Sequence, residues 1–171
     1  IREAVLIYGG YYFDTETLSQ VFHDDVWSWN GETWQEVAME QSRRSSSGAI
    51  LFDPFKQTAL FLDGEDLWTL QETLWVPLTF SHRPSNRWGS QMVYDPSVQA
   101  ALLFGGYKDN QIFDDTWLYD GKNWRQLITA NQPAARHGPV MFYDQVRGSI
   151  LLFGGLNGGN FYQDMWELDL Q

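Results

Sequence analysis

Cysteine is absent from the 171 residues, which excludes disulfides, thiolate metal sites and thiol nucleophiles and leaves the compartment open. Positive charge is scarce. Eleven Lys and Arg face 22 Asp and Glu, and the formal net charge of -11 repels phosphate backbones and anionic lipid, so no nucleic acid and no membrane surface is expected as a partner. No apolar run approaches the roughly 18 residues of a membrane span. The opening Ile1-Arg2-Glu3 has neither an initiator Met nor a signal-peptide pattern, so removal of something upstream is expected. Large rings are what the chain has in abundance: nine Trp, eight Tyr and eleven Phe. Each buries roughly 150–250 Å², enough to offset the entropy of ordering the chain, so disorder is excluded and a single well-buried domain is expected over 1–171.

Self-similarity sets the architecture. Asp-x-Trp recurs at Asp25-Val26-Trp27, Asp66-Leu67-Trp68, Asp115-Thr116-Trp117 and Asp164-Met165-Trp166, with Trp spacings of 41, 49 and 49. A second Trp follows seven residues later at Trp34, Trp75 and Trp124, and a fourth would fall beyond Gln171. An aromatic-Asp pair recurs at Phe52-Asp53, Tyr94-Asp95 and Tyr143-Asp144. Eleven residues after each of those Asp stands the second residue of Asp63-Gly64, Gly105-Gly106 or Gly154-Gly155, and Gly9-Gly10 opens the series. The short 41-residue spacing comes from one loop, which holds Glu65 alone where the first unit has fourteen residues between Gly10 and Asp25. A period between about 20 and 50 residues marks a solenoid or a propeller.

Within a unit the segments read as strands. In the third unit these are 90–94, 101–104, 116–119 and 124–128, rich in β-branched, aromatic and aliphatic residues, with turn residues such as Asp95-Pro96-Ser97 and Asp120-Gly121 at the joints. Each unit is therefore a four-stranded antiparallel meander. A lone meander is marginal, so the units must bury their faces against one another, as radial stacking into a propeller does. The chain opens at a second strand (5–8) and closes at a third (165–168), which gives units of three, four, four and three strands over 1–38, 48–80, 89–129 and 138–171.

Leu-Leu-Phe-Gly-Gly, then Asp-Asp-Thr-Trp-Leu-Tyr-Asp, Asn-Trp and Pro-Ala-Ala-Arg-His-Gly together resemble the Kelch repeat. The resemblance covers essentially the whole chain, is strongest over 87–171 and weakest in the second unit, where Asp63-Gly64 replaces the Gly pair. It implies an all-β fold, a β-propeller of Kelch type with about 3.5 blades, at or below the lower limit of about four for a closed ring. The expectation is part of a larger ring, completed by the remainder of the propeller or by further copies of the chain; closure into four abbreviated blades is the other arrangement.

In such a meander the loops joining strand two to strand three, and strand four to the next strand one, emerge on one face. The four-to-one loops carry Arg43, Arg44, His82, Arg83, Arg87, Trp88, Arg136 and His137, and Lys108 lies on a two-to-three loop, so six of the eleven basic residues gather there. With strand one innermost, Arg44, Arg87 and Arg136 approach a channel mouth, where guanidinium groups can grip a carboxylate in two-point fashion. The candidate ligand-binding set is Arg44, Arg87, Trp88, Tyr107, Arg136 and His137. Against this, the resemblance implies that an Arg at this place pairs with a carboxylate of an adjacent blade, and Asp25, Asp66, Asp115 and Asp164 are placed to serve. The two-to-three loops add Tyr11, Tyr12, Phe13, Gln111, Phe113, Asn157, Asn160, Phe161 and Tyr162, which either recognise a sugar or protein surface or pack the loops down. Trp27, Trp68, Trp117 and Trp166 are read as filling the space between blades. His23, His82 and His137 lie in different units without ligand spacing, and no metal or cofactor is expected.

The resemblance extends to galactose oxidase, whose radical centre needs a Cys-linked Tyr that a chain without Cys cannot form. Ser28-Trp29-Asn30-Gly31 falls one residue short of a sialidase box and reads as a hairpin turn. The expected function is non-catalytic recognition of a protein segment or carbohydrate, one with negative charge, on the loop face. The alternatives are part of an epimerase-like enzyme acting on an acidic sugar, with His137 and Arg136 at the channel mouth, or a purely structural propeller.

Overall fold

The computed structural model describes residues 5–40 and 48–170. Among them there is no helix, and the strands build four antiparallel sheets of three or four strands that follow one another along the chain, with two separate two-stranded hairpins. The first sheet holds β1 (Val5–Asp14), β2 (Ser19–Trp29) and β3 (Trp34–Val37), and the second β4 (Ala49–Asp53), β5 (Thr58–Leu62), β6 (Leu67–Gln71) and β7 (Leu74–Leu78). In the third, β8 (Gln91–Asp95) and β9 (Ala100–Phe104) are followed by a small hairpin, β10 (Tyr107–Lys108) and β11 (Gln111–Ile112), before β12 (Thr116–Tyr119) and β13 (Trp124–Leu127) complete the sheet. The fourth repeats this with β14 (Val140–Asp144), β15 (Ser149–Phe153), the hairpin β16 (Leu156–Asn157) and β17 (Asn160–Phe161), and β18 (Met165–Leu168).

The aromatic-Asp marker closes the turn between a unit's first two strands. Asp53 Oδ1 accepts the N–H groups of Phe55 and Lys56 at 3.0 and 3.1 Å, and Asp144 Oδ1 those of Val146 and Arg147 at 2.9 and 3.0 Å, so a side chain supplies what the tight turn denies its own backbone. The first unit departs from expectation. Its strands run on past Gly10 to a tip where Asp14 Oδ1 takes the N–H of Glu16 at 2.8 Å, so Tyr11, Tyr12 and Phe13 lie on a strand and not in a loop.

Alternation along the inner strands sends neighbouring side chains to opposite sheets. On β5, Ala59 and Phe61 meet Leu6 and Tyr8 of the first sheet, while Leu60 and Leu62 meet Met92 and Leu103 of the third. On β9, Ala101 and Leu103 face the second sheet, and Ala100 and Leu102 face Ile150 of the fourth. Leu102 and Leu103 are both 0 % exposed, and a side chain so buried contributes about 1.5–3 kcal/mol. Three cores thus lie between four sheets. Trp68 and Trp117 fill the first two, each facing the sheet before its own, and Trp166 lines the third. The first strands β4, β8 and β14 lie against one another in succession.

Candidate functional site

The loops entering the third and fourth sheets share one construction. Arg87 N–H donates to the Gly64 carbonyl at 2.6 Å, Arg136 N–H to that of Phe113 at 3.1 Å, and Gly106 N–H to that of Arg136 at 2.9 Å, which ties each loop to the unit before it. That close approach is what the Gly pair serves. At φ +67°, Gly105 is in the left-handed region, and a Cβ there would lie 2.4 Å from the Arg136 oxygen.

The side chains then tie the loop to the unit it enters. Arg87 grips Asp115 with both Nη groups, Nη2 reaching Oδ2 at 3.0 Å, while Nε donates to the Ser85 carbonyl at 2.9 Å and Nη1 to that of Gly105 at 3.2 Å. Arg136 repeats this on Asp164 at 2.6 and 2.9 Å, with Nε on the Ala134 carbonyl and Nη1 on that of Gly154, both at 2.9 Å. The rings of Phe113 and Tyr162 cover the two guanidinium groups with centroids at 4.0 Å. The same carboxylates accept the indole N–H of Trp117 and Trp166 at 2.6 and 2.7 Å, which explains the two-residue spacing of Asp-x-Trp. Hydrogen bonds from Arg136 are the main cause that holds the Asp164 carboxyl down at about 2.

Arg87 and Arg136 are 2 % and 0 % exposed, so they are placed as staples between loop and sheet and not as open clamps for a ligand. Charge and position point to both readings in the sequence; burial separates them. Arg44 lies outside the described residues. Arg83 donates to Asp66 at 2.6 Å and to the Glu65 carbonyl at the surface.

Trp88, Tyr107 and His137 do come together. Trp88 and Tyr107 exchange backbone hydrogen bonds of 2.8 Å, and His137 exchanges bonds of 3.0 and 2.9 Å with Leu156, which sets the three side chains along the roots of the two hairpins. The Tyr107 ring stands between the others, 6.4 Å from Trp88 and 4.7 Å from His137, at angles near 50°. Tyr107 is exposed, and Trp88 and His137 are half-buried. Asn110 and Gln111 are exposed on the same hairpin as Tyr107. Phe113 and Tyr162 belong to the arginines, a role legible in the shared 49-residue offset of Arg87 with Arg136 and Phe113 with Tyr162. In the first unit Tyr12 leans on His23 at 5.7 Å, and Tyr11, Tyr12 and Phe13 are exposed.

Among the described residues no group of three or more His, Asp or Glu could hold a metal ion. Protein-family models and curated proteins were both compared with the chain, and none matches it.

Proposed function

We propose that the chain is part of a Kelch-type β-propeller serving as a non-catalytic recognition module, which holds a carbohydrate or a protein segment on its loop face. The propeller reading draws support from four meanders that follow in chain order and bury alternate faces on one another, the last three meeting along their first strands β4, β8 and β14. The binding role rests on one observation, the row of Trp88, Tyr107 and His137 rings beside the amides of a hairpin tip. Flat rings offer contact area at little entropic cost, and amides fix orientation, a pairing suited to the face of a sugar ring. With Arg87 and Arg136 engaged internally, the ligand needs no negative charge. The acidic-sugar enzyme loses its carboxylate clamp for the same reason, because Arg136 is buried on Asp164.

A glycan array with neutral and acidic sugars, run beside a peptide library, tests this with the 171-residue protein. Tyr107→Ala and His137→Ala are each expected to weaken the hits about 2- to 12-fold, the worth of one ring contact at about 0.5–1.5 kcal/mol, with the melting temperature unchanged. Hits that both variants keep at full strength, or that they lose only by unfolding, would sink the assignment; peptide hits alone would move it from sugar to protein.

A further inference from the structure

Between the second and third sheets, at the end away from the loop face, lies an open cavity of about 370 Å³, a size that small-molecule sites share. Lys56 of the β4–β5 turn, Thr58 of β5, Thr69 and Gln71 of β6 and Tyr119 of β12 line it. The repeat does not need polar walls there. Counted from the repeat's own markers, Lys56, Thr58, Thr69 and Tyr119 become Val98, Ala100, Leu118 and Leu168 at the next interface, where Ala100, Leu118 and Leu168 pack in one apolar core. In the second unit the place of Tyr119 belongs to Leu70.

Tyr119 is 2 % exposed, and its hydroxyl makes no hydrogen bond with the described residues. Among them the fully covered side-chain atoms without a partner are Trp75 Nε1 and Asp95 Oδ2, so the Tyr119 oxygen is not sealed in and reaches the cavity. Burial, with the nearby Asp53 and Asp120 charges, pushes the phenol up to about 12, which keeps it a neutral donor. Lys56 Nζ donates to the Gly121 carbonyl across the interface and lies 5.7 Å from the centre of the Tyr119 ring, with N–H groups to spare. Thr58 Oγ1 donates to the Leu70 carbonyl at 2.6 Å and meets Thr69 Oγ1 at 3.1 Å, which fixes both hydroxyls on the wall. Gln71 is exposed and offers a donor and an acceptor. The single ammonium is offset by Asp53 and Asp120, so an anion gains little here.

We propose that this cavity binds a small neutral polyhydroxylated ligand of the monosaccharide class, whose hydroxyls accept from Lys56 and Tyr119 and donate to Gln71. Hydroxyls that both give and take suit walls that do the same, and such a ligand keeps in the cavity the hydrogen bonds it had in water. The site lies at the opposite end of the sheets from the Trp88, Tyr107 and His137 row, so it stands independently of the reading above.

The probes are glucose, galactose and mannose, with glucuronate as the charged counterpart, titrated into the isotope-labelled 171-residue protein and followed by amide chemical shifts. Saturable shifts at Lys56, Gln71 and Tyr119 are expected from a neutral sugar. Tyr119→Phe, which removes only the oxygen, should weaken that binding about 2- to 12-fold without lowering the melting temperature, since no partner inside the protein is lost. Thr58→Ala with Thr69→Leu, which copies Ala100 and Leu118 of the next interface, should abolish it. Tyr107→Ala should leave it unchanged, which keeps binding on the loop face apart. Shifts from no neutral sugar, shifts from glucuronate alone, or binding undiminished in Tyr119→Phe overturns the proposal. So does a Tyr119→Phe protein that melts lower, because the hydroxyl then has its partner within the fold.

Discussion

The second unit and the two units after it place an Arg–Asp pair under the same loop face, with opposite results. Arg87 and Arg136 are 2 % and 0 % exposed on Asp115 and Asp164, whereas Arg83 and Asp66 keep 35 % and 44 % of their side chains in solvent. The pairs are built differently: Arg87 and Arg136 stand in the loop that enters their sheet, 28 residues before the Asp, whereas Arg83 stands in the loop that leaves its sheet, 17 residues after Asp66. Eight residues between Gly106 and Asp115, and again between Gly155 and Asp164, make a hairpin whose last ring, Phe113 or Tyr162, covers the guanidinium. Glu65 alone makes no hairpin and brings no ring. Asp63 stands where the other units have the first Gly, and it, not Asp66, accepts the Trp68 indole N–H at 2.9 Å, which leaves Asp66 to Arg83. The Asp of Asp-x-Trp is thus part of the framework where an arginine of the entering loop is buried on it, and a surface contact where its partner comes from the loop that leaves the sheet.

Removing the carboxylate should expose that contrast most strongly in the third unit. Asp115→Ala leaves the Arg87 charge buried without its partner, a loss of about 3–5 kcal/mol in a stack whose other contacts are intact. At about 2–4 °C per kcal/mol for a domain of this size, the melt should fall by roughly 6–20 °C. Thermal unfolding followed by circular dichroism measures it. A fall of a degree or two would mean that water reaches the guanidinium in solution and that the buried and surface pairs are alike.

The parts of this fold that the sequence makes legible are those fixed by strand register. Asp-x-Trp, the aromatic-Asp turn and the Gly pair each depend on a spacing within one unit, and the hydrogen bonds of Trp117 to Asp115 and of Lys56 to Asp53 are as local as their spacing. Less legible is whatever depends on how a loop lies down. Arg87 has the same place and charge whether it faces solvent or Phe113, and only the folded loop decides. The substitution of Asp63 for Asp66 at Trp68 follows from a shortened loop whose new geometry no spacing rule supplies. The long first hairpin was hidden because Tyr11-Tyr12-Phe13 suits an exposed strand as well as a loop. Trp88, Tyr107 and His137 were each visible, but their order as a row depends on backbone bridges between different loops.

Acid should weaken the fourth unit's pair before it unfolds the rest. Asp164 has a folded value near 2 against an ordinary 3.8, so its contribution is full above about pH 4 and is lost as the pH falls through about 2. The gap in melting temperature between the native chain and Asp164→Asn should therefore be widest near neutral pH and close across that window. The effect is smaller than that of Asp115→Ala, because the Asp164 side chain is 38 % exposed and its protonated form still accepts hydrogen bonds from Arg136. A gap that stays constant from neutral pH down to about 2 would show that the carboxylate's charge contributes nothing there.

The smallest effect belongs to the second unit. Arg83 and Asp66 meet through one close contact, both side chains are more than a third exposed, and water can replace either partner when the other is removed. Exposed pairs of this kind contribute about 0–1 kcal/mol, partly cancelled by the entropy of holding two long side chains in place. Asp66→Ala should therefore shift the melt by no more than about 4 °C, and salt should reduce the shift further because the pair is open to counterions. The indole of Trp68 is unaffected in this variant, since Asp63 holds it. The decisive comparison is the double change Arg83→Ala with Asp66→Ala, whose cost should equal the sum of the single changes to within about 0.5 kcal/mol. A coupling of about 3 kcal/mol, the scale expected of a buried pair, would mean that Arg83 and Asp66 are covered in solution and that the surface and buried pairs are alike.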